Sequence, residues 1–210
     1  MSSLTLLGRP TSINVRKVLW LCHELGLAPD HQADWAGPDR PTRVPEFLAL
    51  NPNALVPVLI DRGFVLWESN TICRYLAARE GRTDLLPTEA QARARVEQWM
   101  DWQATQLNTA WRHAFMSLVR QHPGFADPAA VQASVADWNR HMQMLEEQLQ
   151  RGGPHVLGET FTLADIVLGL ATQRWLMTPM DRPELPAVQA YVDRLMQREG
   201  YRLHGRNGVP

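Results

Sequence analysis

A chain of 210 residues that is 45% hydrophobic has enough material for one large core or two small ones. Its formal net charge of −1, with no basic block, argues against a nucleic-acid or anionic-membrane surface. No apolar run approaches the ~20 residues that span a bilayer, and Met1-Ser2-Ser3-Leu4 has no secretory-leader pattern, so a cytoplasmic protein is expected.

Leu4 to Leu7 reads as a short strand, and Gly8-Arg9-Pro10-Thr11-Ser12 as a turn. Val15, Val18, Leu19, Cys22 and Leu25 then recur at helical spacing, and Gly26 supplies a stop. His31 to Trp35 is expected as a second strand, Asp34 to Arg43 as a loop and Pro45 to Leu50 as one or two helical turns. Two apolar runs, Val56 to Ile60 and Phe64 to Trp67, flank Asp61-Arg62-Gly63 and predict an antiparallel hairpin. Pro57 cannot donate to a ladder, so it belongs at an edge or a strand start. If it opens the strand, the N–H and C=O of Val56 are left unpaired, and such an edge accepts an extended peptide. After Trp67, Glu68-Ser69-Asn70 precedes the helical pattern Ile72, Tyr75, Leu76; Ser69 is read as the N-cap of a helix start suited to an anion.

Residues 81–88 read as a linker, and no convincing strand follows. One long helix is expected from near Glu89 through Val96, Trp99, Leu107, Trp111 and Leu118, broken at Pro123 to Pro128. A second runs from about Ala129 to Arg151. Thr162 to Asp165 resembles a capping box opening an apolar helix. A last helix covers Pro186 to Gln197, and Gly200 to Pro210 is a tail. Cys22 and Cys73 lie on apolar helix faces and read as buried free thiols; the seven histidines lack ligand spacing, and no metal is expected.

Asn51-Pro52 with Val56-Pro57, followed after the hairpin by Glu68-Ser69-Asn70, Ile72 and Tyr75-Leu76, resembles the glutathione-binding half of the cytosolic glutathione transferase family. The resemblance implies an N-terminal thioredoxin-like α/β domain (residues 1–80), the linker, and an all-α domain (89–210), an α+β protein overall. It implies that the Val56-Pro57 bond is cis, that the Val56 backbone pairs with the cysteinyl unit of glutathione, and that Glu68 and Ser69 hold its γ-glutamyl end. Ser12, with Arg16 and Val18 behind it, is similar to the serine of serine-type transferases. Bacterial relatives with Thr or Ser two residues before Asn bring in Asn14. Both are also preferred helix caps, and on residue type alone capping is the stronger reading; the downstream pattern reverses that order. No cysteine occupies the turn, which disfavours disulfide exchange. Ala54 and Leu55 stand where many members of the family have Gly and then Lys or Gln; with that polar side chain lost, Arg40 or Arg43 are left as candidates for the glycine carboxylate.

Arg9, and Arg112 beside Asn108 on the long helix, are candidate walls of a second-substrate pocket favouring an electrophile with a carboxylate. Trp175 is a weaker candidate, since an aromatic in an apolar helix is more often core. The leading expectation is a glutathione transferase, homodimeric like its family. A glutathione-dependent isomerase or ether-cleaving enzyme, and a non-catalytic association domain of the same fold, are the alternatives.

Overall fold

The computed structural model describes residues 4–210, so the reading made of residues 1–3 lies outside it. Four strands form one sheet in the order β2-β1-β3-β4: β1 (Leu4–Leu7), β2 (Asp30–Gln32), β3 (Val58–Asp61) and β4 (Phe64–Trp67). β1 and β2 are parallel, whereas β1 with β3 and β3 with β4 are antiparallel. The hairpin turns on Arg62 and Gly63, both at positive φ (51° and 89°), the conformation of a tight two-residue hairpin turn. β2 is shorter than expected, and Trp35 lies beyond it, buried against Phe47 with ring centroids 4.8 Å apart.

Alternation along the strands splits the apolar side chains between two faces. Leu4, Leu6 and Leu59 enter the main core with α1 (Ile13–Leu25) and α3 (Ser69–Arg79), while Leu7 and Val58 join Trp35 and Phe47 of α2 (Pro45–Leu48) in a smaller cluster. The result is a thioredoxin-like sheet unit followed by a helical one. The main core runs without interruption from Leu6 into the C-terminal helices, and the stretch expected as a linker is part of it: Leu85 and Leu86 are buried, and the Leu85 carbonyl accepts from the Leu163 N–H at 3.0 Å.

The expected long helix starts where predicted, with the Glu89 carboxylate accepting from the N–H groups of Gln91 and Ala92. It is not one regular helix. α4 (Ala90–Trp102) and α5 (Asn108–Leu118) are joined by a π-helical segment, Gln103–Leu107, and such wide turns commonly occur at functional positions. Side-chain bonds hold this one: Gln103 Nε2 and Trp111 Nε1 both donate to Asn108 Oδ1 at 2.9 Å.

α6 (Pro128–Gly152), α7 (Leu163–Met177) and α8 (Pro186–Leu195) complete the bundle. α7 is buried from Leu163 to Trp175, as befits a helix apolar on nearly every side. Asp165 fixes its start: fully buried, the carboxylate accepts from the Thr162 N–H at 2.8 Å and from the Val156 N–H at 2.9 Å. The predicted tail is no loose end. Tyr201–Gly205 forms a further π-helical turn, Tyr201 is buried with its ring 5.1 Å from that of Trp20, and Arg16 donates to the carbonyls of Val209 (2.7 Å) and Pro210 (3.1 Å). Among the described residues, no helix is long and apolar enough to cross a membrane.

Candidate functional site

A cavity rich in polar groups lies where the turn after β1 meets the helical unit. The cavity, about 370 Å³, is lined by Arg9, Ser12, Ile13, Asn14, Ala36, Thr42, Ala54, Leu55 and Val56 on the sheet side, and by Phe115, Arg120 and Arg174 on the helical side. Two separated parts of the N-terminal half thus converge, the start of α1 and the segment before β3.

Ser12 is the N-cap of α1 by backbone geometry (φ −78°, ψ 124°), and its carbonyl accepts the Arg16 N–H at 3.0 Å. Its side chain makes no capping hydrogen bond. The hydroxyl is therefore left available beside the first N–H groups of a 13-residue helix, where the dipole favours negative charge. Asn14, one residue inside the helix, lines the same cavity and is half-buried.

Gly8 brings these groups up to Val56. At φ 138°, in a region L side chains avoid, it leaves room for Val15 and Val56, whose atoms would stand 2.7 and 2.8 Å from a Cβ built on it. The Val56-Pro57 bond is cis, and β3 begins only at Val58, so Val56 stays outside the ladder. Its backbone N–H and C=O have no hydrogen-bond partner among the described residues, the open edge expected from the sequence.

At the other end of the hairpin the N-cap of α3 is Glu68 and not Ser69. Glu68 carries the non-helical backbone, φ 72° and ψ 109°, and its carbonyl accepts the Ile72 N–H at 2.8 Å. Ser69 is the first helical residue and is buried. A non-glycine residue held at such angles costs on the order of 1–3 kcal/mol and is typical of ligand sites. Behind it Asn70 anchors the helix start, accepting from Lys17 Nζ at 3.0 Å and donating to the Met100 carbonyl at 2.9 Å.

The remaining candidates stand elsewhere. Arg40 does not line the cavity; its Nη1 donates to both carboxylate oxygens of Asp34 (2.9 and 3.1 Å) and its guanidinium lies 3.8 Å from the Trp35 ring centroid. Arg43 is exposed. Arg112 is also exposed, 6.0 Å from the Phe125 ring, and Asn108 is occupied in bracing the π-helical segment. The indole of Trp175 donates to Asn139 Oδ1 at 2.8 Å and lines a different cavity with Arg182. Of the expected second-substrate group, only Arg9 lines the cavity.

Two other arginines, Arg120 and Arg174, line the cavity from the helical side. Arg174 is 3% exposed, and no hydrogen bond or ion pair reaches its guanidinium among the described residues. Its neighbours are the rings of Phe115 and Trp111, at 4.1 and 4.6 Å. Such contacts contribute up to ~2 kcal/mol, against several kcal/mol for taking a cation out of water. Burial, helped by the charges of Arg16 and Arg120, pushes the Arg174 guanidinium down to about 9. A signal for it was present in the sequence: Arg174 interrupts an otherwise uncharged run from Ile166 to Met177.

Comparison with known proteins adds to this geometry. Residues 11–79 match the family model for the glutathione S-transferase N-terminal domain, and residues 128–194 that for the C-terminal domain. The glutathione S-transferase GstB of Escherichia coli K12 is 35% identical over 202 residues, spanning 95% of this chain and 96% of the relative. Glutathione S-transferase 3 of Zea mays is 36% identical over 173 residues, 79% of this chain and 75% of that protein. Among solved structures, the theta class glutathione S-transferase of Xanthomonas axonopodis pv. citri, with glutathione bound, superposes with a TM-score of 0.92 at 35% identity over the whole of both chains. Poplar glutathione transferase F1, at 20% identity and a TM-score of 0.81, shares the fold.

Proposed function

This chain belongs to the glutathione transferase family, and we propose that it is a serine/asparagine-type member in which Ser12 and Asn14 activate glutathione for attack on a small electrophile. The observation that carries the reading is the convergence of Ser12, Asn14 and the unpaired backbone of Val56 on one cavity. Glutathione laid along Val56 pairs its cysteinyl amide and carbonyl with that edge, its γ-glutamyl end reaching the start of α3 at Glu68 and Ser69.

A free thiol titrates at ~8.5, so a downward shift of about two units makes it mostly thiolate at neutral pH. A hydroxyl or amide donor to sulfur at a helix N-terminus favours the charged form by hydrogen bonding and by the dipole. Ser12 and Asn14 then act as donors to sulfur; the thiol proton leaves to solvent, and the sulfur attacks the electrophilic carbon as the leaving group departs. No metal or redox cysteine is required: Cys22 and Cys73 are buried, and burial pushes each thiol up to about 12. Arg40 remains a proposal for the glycine carboxylate only if it leaves Asp34. Residues 81–88 serve as the connection between the two units, and a cytoplasmic two-fold homodimer is proposed with them, the edge strand β4 offering exposed Phe64 and Trp67.

Calorimetric titration with glutathione, together with the ultraviolet thiolate absorbance of the bound tripeptide, tests the assignment. Ser12→Ala or Asn14→Ala is expected to retain binding, lose thiolate at neutral pH and lower turnover about 10²-fold. If neither substitution alters the thiolate fraction, the assignment is wrong; absence of any glutathione binding favours the non-catalytic alternative.

A further inference from the structure

Resting on the transferase reading, we propose that the second substrate is an electrophile bearing a carboxylate, held by Arg174 with Arg120 and Arg9 around it. Three guanidinium groups line one cavity, and none of the residues lining it is acidic. Arg174 decides the matter. Its Nε is buried without a partner, the group meets only aromatic rings, and it faces the same space as Ser12. A buried guanidinium with no acidic side chain beside it is suited to pair with an anionic ligand, and its planar fork fits a carboxylate in two-pronged fashion. Phe115 and Trp111 pack against the guanidinium and limit its movement, so the anion is met by a held donor.

The reaction this arrangement favours is displacement at a carbon next to the carboxylate. The sulfur lone pair of the thiolate forms the C–S bond, the carbon–halogen bond breaks, and the halide leaves with its electron pair. The thiol proton has already gone to solvent, so no oxidant, reductant or further reactant is needed. Arg174 contributes binding and orientation, and its positive charge offsets the repulsion between the carboxylate and the thiolate, which the reaction brings close together.

Iodoacetate and iodoacetamide provide the test, since they share the reacting carbon and leaving group and differ in charge. For each, kcat/KM with glutathione is divided by the uncatalysed rate constant, and the ratio of the two enhancements is the readout. The expected ratio favours iodoacetate by about tenfold or more. Arg174→Met, which keeps the buried volume and removes an unpaired charge, is expected to abolish that preference, the ratio of the two enhancements being the readout whatever the change in either absolute rate. The exposed Arg120→Met, safe for folding, should move it the same way by a few-fold. Equal enhancement of both reagents overturns the proposal, as does a ratio unaffected by either substitution. A rise in the KM for glutathione at constant ratio also overturns it, and assigns the arginines to the glycine carboxylate of glutathione. Turnover of iodoacetamide with glutathione bound, but no preference, leaves the transferase reading standing; no turnover and no glutathione binding removes both.

Discussion

Lys17 of α1 donates to Gln103 of the π-helical segment at 2.7 Å, fully inside the protein and across the junction of the sheet and helical units. The same ammonium donates to Asn70 Oδ1 at 3.0 Å, so one side chain links α1, the start of α3 and the irregular turn between α4 and α5. Both partners are amides, and burial pushes Lys17 down to about 8. Replacing Lys17 by Met leaves two buried amide oxygens unpaired, an expected loss of about 2 kcal/mol in urea denaturation once relief of the buried charge is counted. Adding Gln103→Leu should restore part of it, because the pair is directly coupled. Glutathione affinity is expected to fall several-fold in the single variant, since Asn70 positions the helix start that carries Glu68 and Ser69. Unchanged stability would show that the network does not hold the two units together.

Much of the first unit was legible because local chemistry and topology agree there. Pro57 at a strand start, Gly63 in a two-residue turn and Gly26 closing α1 in a left-handed conformation each force the chain in the way the structure displays. The helical unit was legible as helices and poorly legible as a site. Arg112 and Arg174 are the same residue type, and spacing along α5 gave no reason to prefer a residue far along the chain on a helix that is buried all round. The cavity wall depends on which helix crosses the turn at Ser12, a long-range matter that periodicity does not encode. The same holds for the π-helical segment: one extra residue per turn is set by Gln103 reaching Asn108 and Lys17, two partners far apart in sequence. Ser69 was displaced from the cap by one position because the left-handed backbone of Glu68 is a strained conformation that no residue preference announces.

Gly8 ties the fold to the site, and its replacement separates the two. In Gly8→Ala the new methyl meets Val15 Cγ2 at 2.7 Å and Val56 Cβ at 2.8 Å, with φ at 138°. The backbone of Val56 must then move away from the start of α1. Stability is expected to drop by about 2–3 kcal/mol, and the Kd for glutathione to rise about tenfold or more. Gly26→Ala is the control: its φ of 66° also strains an alanine, yet nothing lies within 4 Å of the added methyl. A similar loss of stability with unchanged glutathione affinity is expected there. Equal effects on affinity from both substitutions would mean that the Gly8 contact does not position Val56.

His204 makes the C-terminal turn sensitive to acid. Burial, reinforced by the neighbouring His23, His31 and Arg16, pushes its imidazole from 6.5 down to about 4. Between those two values the unfolded chain binds a proton that the folded chain refuses, so stability falls as pH falls. One such group gives a slope of at most about 1.4 kcal/mol per pH unit, and less here because the ring is partly solvated. His155, also lowered by burial, adds a slope of the same sign. His204→Phe removes one titrating group and keeps an aromatic ring. Chemical denaturation at intervals between pH 6.5 and 4.5 is expected to give a shallower decline for the variant, the two curves diverging as the pH drops. Because Arg16 holds the segment that follows His204, the tail should open before the sheet does, with amide exchange at Tyr201 to Gly205 rising first in acid. Parallel stability curves for the two proteins would show that His204 is not the group that titrates.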